Sequence, residues 1–244
     1  MKRSEINAIM RDAKAFIRER GFHLPPFAHW TPQDWTTKGP EAREIVENQL
    51  GWDITDFGQG DYPRAGLFLF TIRNGHPHNL KTMQGKIYAE KIMIVDVEQV
   101  TPLHFHWHKT EDIINRGGGK LVIQLYNSTP DEKLADTDVT VSVDGITRTV
   151  KAGGLVALSP GESITLPPYL YHKFWGAESR VLVGEVSVVN DDKADNRFHQ
   201  KMGRFPQIEE DEPPLHLLVT DYAKFYQESS RKPCGLSALD ERRH

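Results

Sequence analysis

From Gly66 onward the chain is written in short runs rich in β-branched and aromatic residues: "LFLFTIR", "KIMIVDV", "KLVIQLY", "DVTVSV", "ITRTV" and "RVLVGEVSVV". Between them stand Asn74-Gly75, Gly117-Gly118-Gly119, Asp144-Gly145, Gly153-Gly154 and Pro160-Gly161, combinations that supply the backbone freedom of tight turns. Many short strands joined by tight turns fold as a sandwich or a barrel, because parallel neighbours would need longer crossovers than these gaps allow. The clearest hairpin is "SVDGIT", since Asp-Gly suits the two-residue turn whose twist matches the strands it joins.

The first fifth of the chain has a different texture. Ser4 is placed to cap a helix whose apolar positions Ile6, Ile9, Met10, Ala13 and Ile17 recur with a helical period and which stops near Gly21. Thr31 followed by Pro32 opens a second helical segment, and "GPEAREIVENQLG" (39–51) repeats the pattern with Pro40 inside the start and Gly51 past the end. A helical segment returns after Pro213 in "VTDYAKFYQ". The expectation is one domain over residues 1–226, with a helical appendage (about 1–60) packed on the β-structure and a polar tail over 227–244.

A net charge of −4 leaves no excess positive potential for wholesale binding of nucleic acid or an anionic membrane, which points to small-molecule chemistry. No run approaches the roughly 18 apolar residues of a membrane span, and "MKRS" leads into mixed polarity, so the expected location is the cytoplasm. The lone cysteine, Cys234, sits in a polar stretch with no disulfide partner and reads as a spectator.

Chemistry concentrates in "LHFHWHKTE" (103–111). Alternate strand residues share a face, so His104 and His106 project together, and a turn around Trp107 to Thr110 brings Glu111 to the same place from the next strand. Mixed imidazole and carboxylate ligands suit Mn²⁺, Fe²⁺, Co²⁺, Ni²⁺ or Zn²⁺, and the absence of thiolates argues for a catalytic rather than a closed structural site. His108 falls where the turn begins and is set aside as exposed or supporting. His76 and His78 have the same spacing, but lie among Asn, Gly and Pro with no nearby acid, and read as a loop. A fourth ligand is expected from "SPGESITLPPYLYHKFWG" (159–176), at His172.

Together these segments resemble the cupin signature: His104, His106, Glu111 and Gly118 meet its first motif, and Gly161, Pro167 and His172 its second. Tyr169 departs from the pattern, standing where the usual turn carries glycine. The resemblance implies a mostly β fold, a double-stranded β-helix barrel (jelly roll) that holds one metal through three histidines and a glutamate. Further stretches, "FHLPPFAHWTP", "NQLGWDITDFGQGDY", "YAEKIM", "EDIINRGGGKLVIQLYNSTPD", "NDDKADNR" and "GRFPQIEEDEPP", are similar to the D-lyxose isomerase family, from the first helix to about Tyr222. What this implies is interconversion of D-lyxose and D-xylulose, and of D-mannose and D-fructose, with Mn²⁺ as the preferred metal and a homodimer as the usual form.

Aldose–ketose isomerisation moves a hydrogen between C1 and C2 and a proton between their oxygens, through an enediol intermediate or a hydride shift, and the enediol route needs a base and an acid beside the metal. Lys91, inside an apolar strand, suits a proton donor or acceptor; residues alone read it equally well as a snorkelling or edge lysine, and the resemblance favours the site. For a second carboxylate the resemblance points to Glu209 and Glu210, which face opposite ways on an extended segment so that at most one reaches the sugar; Glu210 is preferred of the two, while a solvated acidic loop is the commoner fate of such residues. Trp30, Trp52, Phe57 and Trp107 are candidates for a pocket wall or for the core. The same ligand shell also supports a dioxygenase or decarboxylase, and a sugar-binding cupin without turnover is a third reading.

Overall fold

The computed structural model describes residues 1–226, so the tail over 227–244 and Cys234 lie outside the described residues. In chain order the elements are α1 (Arg3–Glu19), α2 (Pro32–Trp35), α3 (Arg43–Glu47), β1 (Gly51–Thr55), β2 (Leu67–Asn74), α4 (Pro77–Thr82), β3 (Tyr88–Val95), β4 (Thr101–Phe105), β5 (Glu111–Asn127), β6 (Val139–Val143), β7 (Ile146–Val150), β8 (Leu155–Leu158), β9 (Ser163–Leu166), β10 (Leu170–Val188), β11 (Arg197–Phe198) and α5 (Tyr222–Phe225).

Two long strands organise the barrel. β5 and β10 pair antiparallel from Leu170↔Asn127 to Ser187↔Glu111, and each serves both halves of the structure. The start of β5 pairs with β9 and its later half with β8; the start of β10 pairs with β4 and its later half with β3. β1 and β2 extend the sheet beyond β3, while β6 and β7 extend it beyond β9, so the mostly β, jelly-roll expectation holds.

The run Gly117-Gly118-Gly119 is not the turn the sequence suggested. It lies inside β5, where the pairing with β10 shifts register between Ala177 and Val181. A Cβ on Gly118 would stand 2.0 Å from the Arg180 carbonyl oxygen, and one on Gly119 would stand 2.2 Å from that of Ala177, so only glycine lets the backbones pass. The Asp-Gly hairpin forms as expected between β6 and β7, with Asp144 at φ 51° and Gly145 at φ 80°.

Strand parity sorts two cores. Leu67 and Leu69 of β2, Met93 and Val95 of β3, and Val181 and Val183 of β10 fill the barrel together with Leu121, Ile123, Leu125, Val156, Leu158 and Phe174. The intervening residues Phe68, Phe70, Ile92, Ile94 and Leu182 face the other way and receive Ile6, Met10, Ala13 and Ile17 of α1. α1 is therefore the amphipathic helix its period predicts, but its N-cap is Lys2. Ser4 lies inside the first turn, where its amide and hydroxyl both donate to Asp211. Thr31 caps α2 as expected. The 39–51 segment yields only a 3₁₀ turn and the short α3; residues 51–55 form β1 instead, so the appendage expected to about residue 60 gives way to sheet near Gly51.

Met10 is fully buried between α1 and the sheet, so Met10→Ala is expected to lower unfolding free energy by about 2–5 kcal/mol. A shift of the urea midpoint at unchanged m-value would register this.

Candidate active site

β4 and β10 pair so that His104 lies directly opposite His172. His106 follows one residue beyond β4, and the turn over 107–110 returns the chain so that Glu111, the first residue of β5, joins them. All four are buried, His172 to 1 % exposure and Glu111 to 3 %. Among the described residues, His104, His106 and His172 form a group whose ligand atoms all lie within 4.8 Å of one another. Glu111 Oε1 is 3.1 Å from His172 Nε2 and 3.6 Å from His106 Nε2.

The hydrogen bonds fix how these rings point. Each Nδ1 lies against a backbone carbonyl, Pro102 O for His104 (2.7 Å), Asp195 O for His106 (2.6 Å) and Leu170 O for His172 (2.9 Å). A carbonyl only accepts, so each Nδ1 carries the proton and each neutral ring turns an Nε2 lone pair inward. Burial and the neighbouring imidazoles hold the His104 pKa well below the usual histidine value, and burial with the Lys109 charge lowers that of His106. Burial pushes the Glu111 carboxyl up, but Lys109 and His106 outweigh it, so its pKa lies well below the usual carboxylate range. Three lone pairs and a carboxylate oxygen thus converge, and among the described residues no donor stands between them and His172 Nε2 has no hydrogen-bond partner despite its burial. A cation reconciles such a set, and the ligands fit a divalent ion of the class expected.

A second layer of charge lies deeper in the barrel. Lys91 has the parity of Met93 and Val95, which turns it inward, and it pairs across the sheet with Glu185 of β10. Its Nζ is 3.2 Å from Glu185 Oε1 and donates to Asn190 Oδ1 at 2.6 Å. Lys109, buried to 3 %, stands 2.6 Å from Glu111 Oε2 and 3.0 Å from Glu185 Oε1. Burial works against the Lys109 ammonium, but Glu111 and Glu185 outweigh it and raise its pKa. Beside them Arg204 pairs with Asp53 at 2.7 Å and Asp192 at 3.3 Å. Lys91, His104, His106, Lys109, Glu111, Glu185, Asp192 and Arg204 all line one cavity.

Sequence reasoning missed Lys109, Glu185, Asp192 and Arg204. Glu185 carried the same signal that singled out Lys91, a charge inside the apolar run "RVLVGEVSVV". Lys109 was passed over because it sits in the presumed turn, and Asp192 and Arg204 come from irregular chain with no periodic signal.

Glu209 and Glu210 do not join the cavity. Arg3 is almost fully buried and takes both Glu210 and Asp221 as counter-charges; Arg3 Nε and Nη2 donate to Glu210 at 2.8 and 2.7 Å. Glu209 meets α1 through its backbone, its carbonyl accepting from the Arg3 amide, and lines a different, outer groove with Lys2, Glu5 and Asp56. The acids of "IEEDE" thus fasten this segment to α1. His108 is exposed, and only its backbone amide is engaged, by Asp195. His76 is the N-cap of the short α4 rather than a loop residue, and accepts from the His78 amide. Of the aromatics, Phe57 lines the cavity, Trp52 is in the α1 core, Trp30 packs on Trp35, and Trp107 donates to Glu132.

A cupin barrel with a buried, metal-competent histidine and glutamate centre beside paired lysines and carboxylates is the class defined by this fold and site. The family model described as D-lyxose isomerase matches residues 1–222, and the chain belongs to that family. It is 51% identical to a D-lyxose/D-mannose isomerase of Serratia proteamaculans over 92% of this chain and 99% of the relative. It is 49% identical to a D-lyxose/D-mannose isomerase of Escherichia coli O157:H7 over 92% of this chain and 100% of the relative. In fold it is similar to the L-ribose isomerase of Cellulomonas parahominis solved with L-psicose (TM-score 0.56, 16% identity, 86% of this chain and 98% of that one). A similar match is the Acinetobacter sp. DL28 L-ribose isomerase in complex with L-ribose (TM-score 0.57, 17% identity, 86% of this chain and 98% of that one).

Replacing His106, Glu111 or His172 by alanine is expected to abolish retention of a divalent ion, whereas His108→Ala leaves it intact; metal analysis after gel filtration reads both. Lys109→Met leaves two carboxylates short of a buried counter-charge and is expected to cost the chelator-treated protein about 3–5 kcal/mol in denaturant unfolding.

Proposed function

We propose that this protein interconverts D-lyxose and D-xylulose, and D-mannose and D-fructose, with a divalent ion, preferentially Mn²⁺, held by His104, His106, Glu111 and His172. Co²⁺, Ni²⁺, Fe²⁺ and Zn²⁺ satisfy the same donors. The observation that carries the reading is the buried Lys91–Glu185–Lys109 layer immediately beside the acceptor-only histidine and glutamate centre, in a member of this family. When bound, the ion supplies Lewis-acid stabilisation where negative charge develops on the sugar oxygens.

The chain's own groups cover the rest of the reaction. Glu185 takes the proton from C2 of the aldose and returns it to C1. Lys91 gives a proton to O1 and recovers one from the O2 hydroxyl, while Lys109 holds Glu111 and Glu185 in place between them. Thr101 Oγ1 and Arg204 Nη1 are buried in this cavity and have no hydrogen-bond partner among the described residues, which suits them to the remaining sugar hydroxyls. Glu185 therefore takes the role first sought in Glu209 and Glu210. From the family likeness we also take the active form to be a cytoplasmic homodimer.

Incubated anaerobically with Mn²⁺ and D-lyxose, the protein is expected to release D-xylulose; a requirement for oxygen, or failure with every pentose and hexose, would sink the proposal. Lys91→Met and Glu185→Gln are expected to lower kcat by about 10²–10⁴-fold while keeping the metal. Unchanged kinetics in either would return that residue to a structural role.

A further inference from the structure

One stretch of chain lies across the cavity that holds the site. Residues 191–205 leave β10, run along the free edge of β4 through β11, and place Asp192, Asn196, Phe198 and Arg204 in the cavity lining. The cavity volume there is about 40 Å³, far below the roughly 300 Å³ of small-ligand pockets. A sugar needs more room than that, and this strap is the longest irregular segment in the lining. Its start is fixed, because the Asn74 side chain bonds both the amide and the carbonyl of Asn190. Its far end is held by the Arg204 ion pairs with Asp53 and Asp192.

Asp195, in the middle of the strap and 7 % exposed, makes contacts of another kind. Its carboxylate accepts from the His108 and Lys109 amides at 2.9 and 3.0 Å, clamping the turn that carries Lys109. Its backbone carbonyl accepts the His106 Nδ1–H at 2.6 Å, the bond that aims His106 Nε2 at the centre. One residue of the strap thus sets the orientation of a metal-binding ring and the position of a lysine in the layer beside it.

We propose that Asp195 is a positioning residue that couples occupancy of the metal site to closure of the 191–205 strap. The coupling rests on the metal reading above. A cation on Nε2 makes the opposite Nδ1–H a stronger donor, which tightens the His106 bond to Asp195 and with it the strap. Linkage makes the effect reciprocal: whatever holds the strap down raises affinity for the ion by the same factor. Substrate entry then competes with strap closure rather than with the metal ligands themselves, since His104 and His172 are aimed by carbonyls of Pro102 and Leu170, outside the strap.

The test is amide hydrogen exchange on the full-length protein with and without Mn²⁺, with Mn²⁺ affinity measured in parallel by electron paramagnetic resonance. In the wild type, Mn²⁺ is expected to slow exchange at residues 191–205 and at the His108 and Lys109 amides by at least about tenfold. Asp195→Ala keeps the backbone carbonyl but loses the carboxylate clamp on the His108 and Lys109 amides that positions it, and is expected to weaken Mn²⁺ binding by about 10–100-fold and to leave strap exchange at saturating Mn²⁺ faster than in the wild type. Asp195→Asn, which keeps one side-chain acceptor, falls between the two and guards against misfolding of the alanine variant. Wild-type protein that binds Mn²⁺ with no change in strap exchange would overturn the coupling while leaving the metal centre standing. So would an Asp195→Ala variant with wild-type affinity. Wild-type protein that binds no divalent ion would overturn the metal reading and the coupling together.

Discussion

Everything at the centre of this protein depends on four acceptors turned toward one buried point. A lone pair taken out of water without a donor is costly, and here three imidazole nitrogens and a carboxylate oxygen share that cost. The fold imposes it by backbone means. The pairing of His104 with His172 across β4 and β10 sets two rings side by side, and three main-chain carbonyls hold the Nδ1 protons outward. Among the described residues no side-chain donor relieves the convergence, because the Lys109 ammonium is engaged by the far oxygen of Glu111 and by Glu185. The arrangement is one that could hold a cation.

The barrel makes such a site tolerable. Strand parity sends one set of side chains inward along β3, β5 and β10, and that set changes from apolar to charged toward the site. Met93 and Val95 give way to Lys91, Ile113 to Glu111, and Val183 to Glu185. The charged residues then meet as a near-alternating array of ammonium and carboxylate, each with a partner within about hydrogen-bonding distance. The large apolar cluster below, and the second one beneath α1, keep these strands in the register that the array requires.

Much of this was legible in the sequence because it is local or periodic. Alternation placed His104 and His106 on one face, the two motifs supplied Glu111 and His172, and the apolar surroundings of Lys91 marked a charge with an inward parity. The errors share a cause, which is that partners distant in sequence decide what a local pattern becomes. Glu210 looks free for catalysis until Arg3, some 200 residues earlier, is found buried against it and Asp221. The glycine run reads as a turn until β10 passes so close that no side chain fits. Residues 51–55 looked like the aftermath of a helix because the partner that makes them a strand, β2, lies beyond an irregular loop. Arg204 and Asp192 have no pattern at all; they matter only because the strap lays them across the barrel mouth.

The most direct measurement of the central claim is nitrogen NMR of the histidine rings in ¹⁵N-labelled, metal-free protein, followed through a titration with Zn²⁺ as a diamagnetic probe. His104, His106 and His172 are predicted to show the Nδ1–H tautomer before any metal is added, and all three Nε2 resonances are predicted to move together at one equivalent. Rings protonated at Nε2, or Nε2 signals that stay in place while zinc binds, would contradict the claim that these nitrogens form a preset centre for a metal ion.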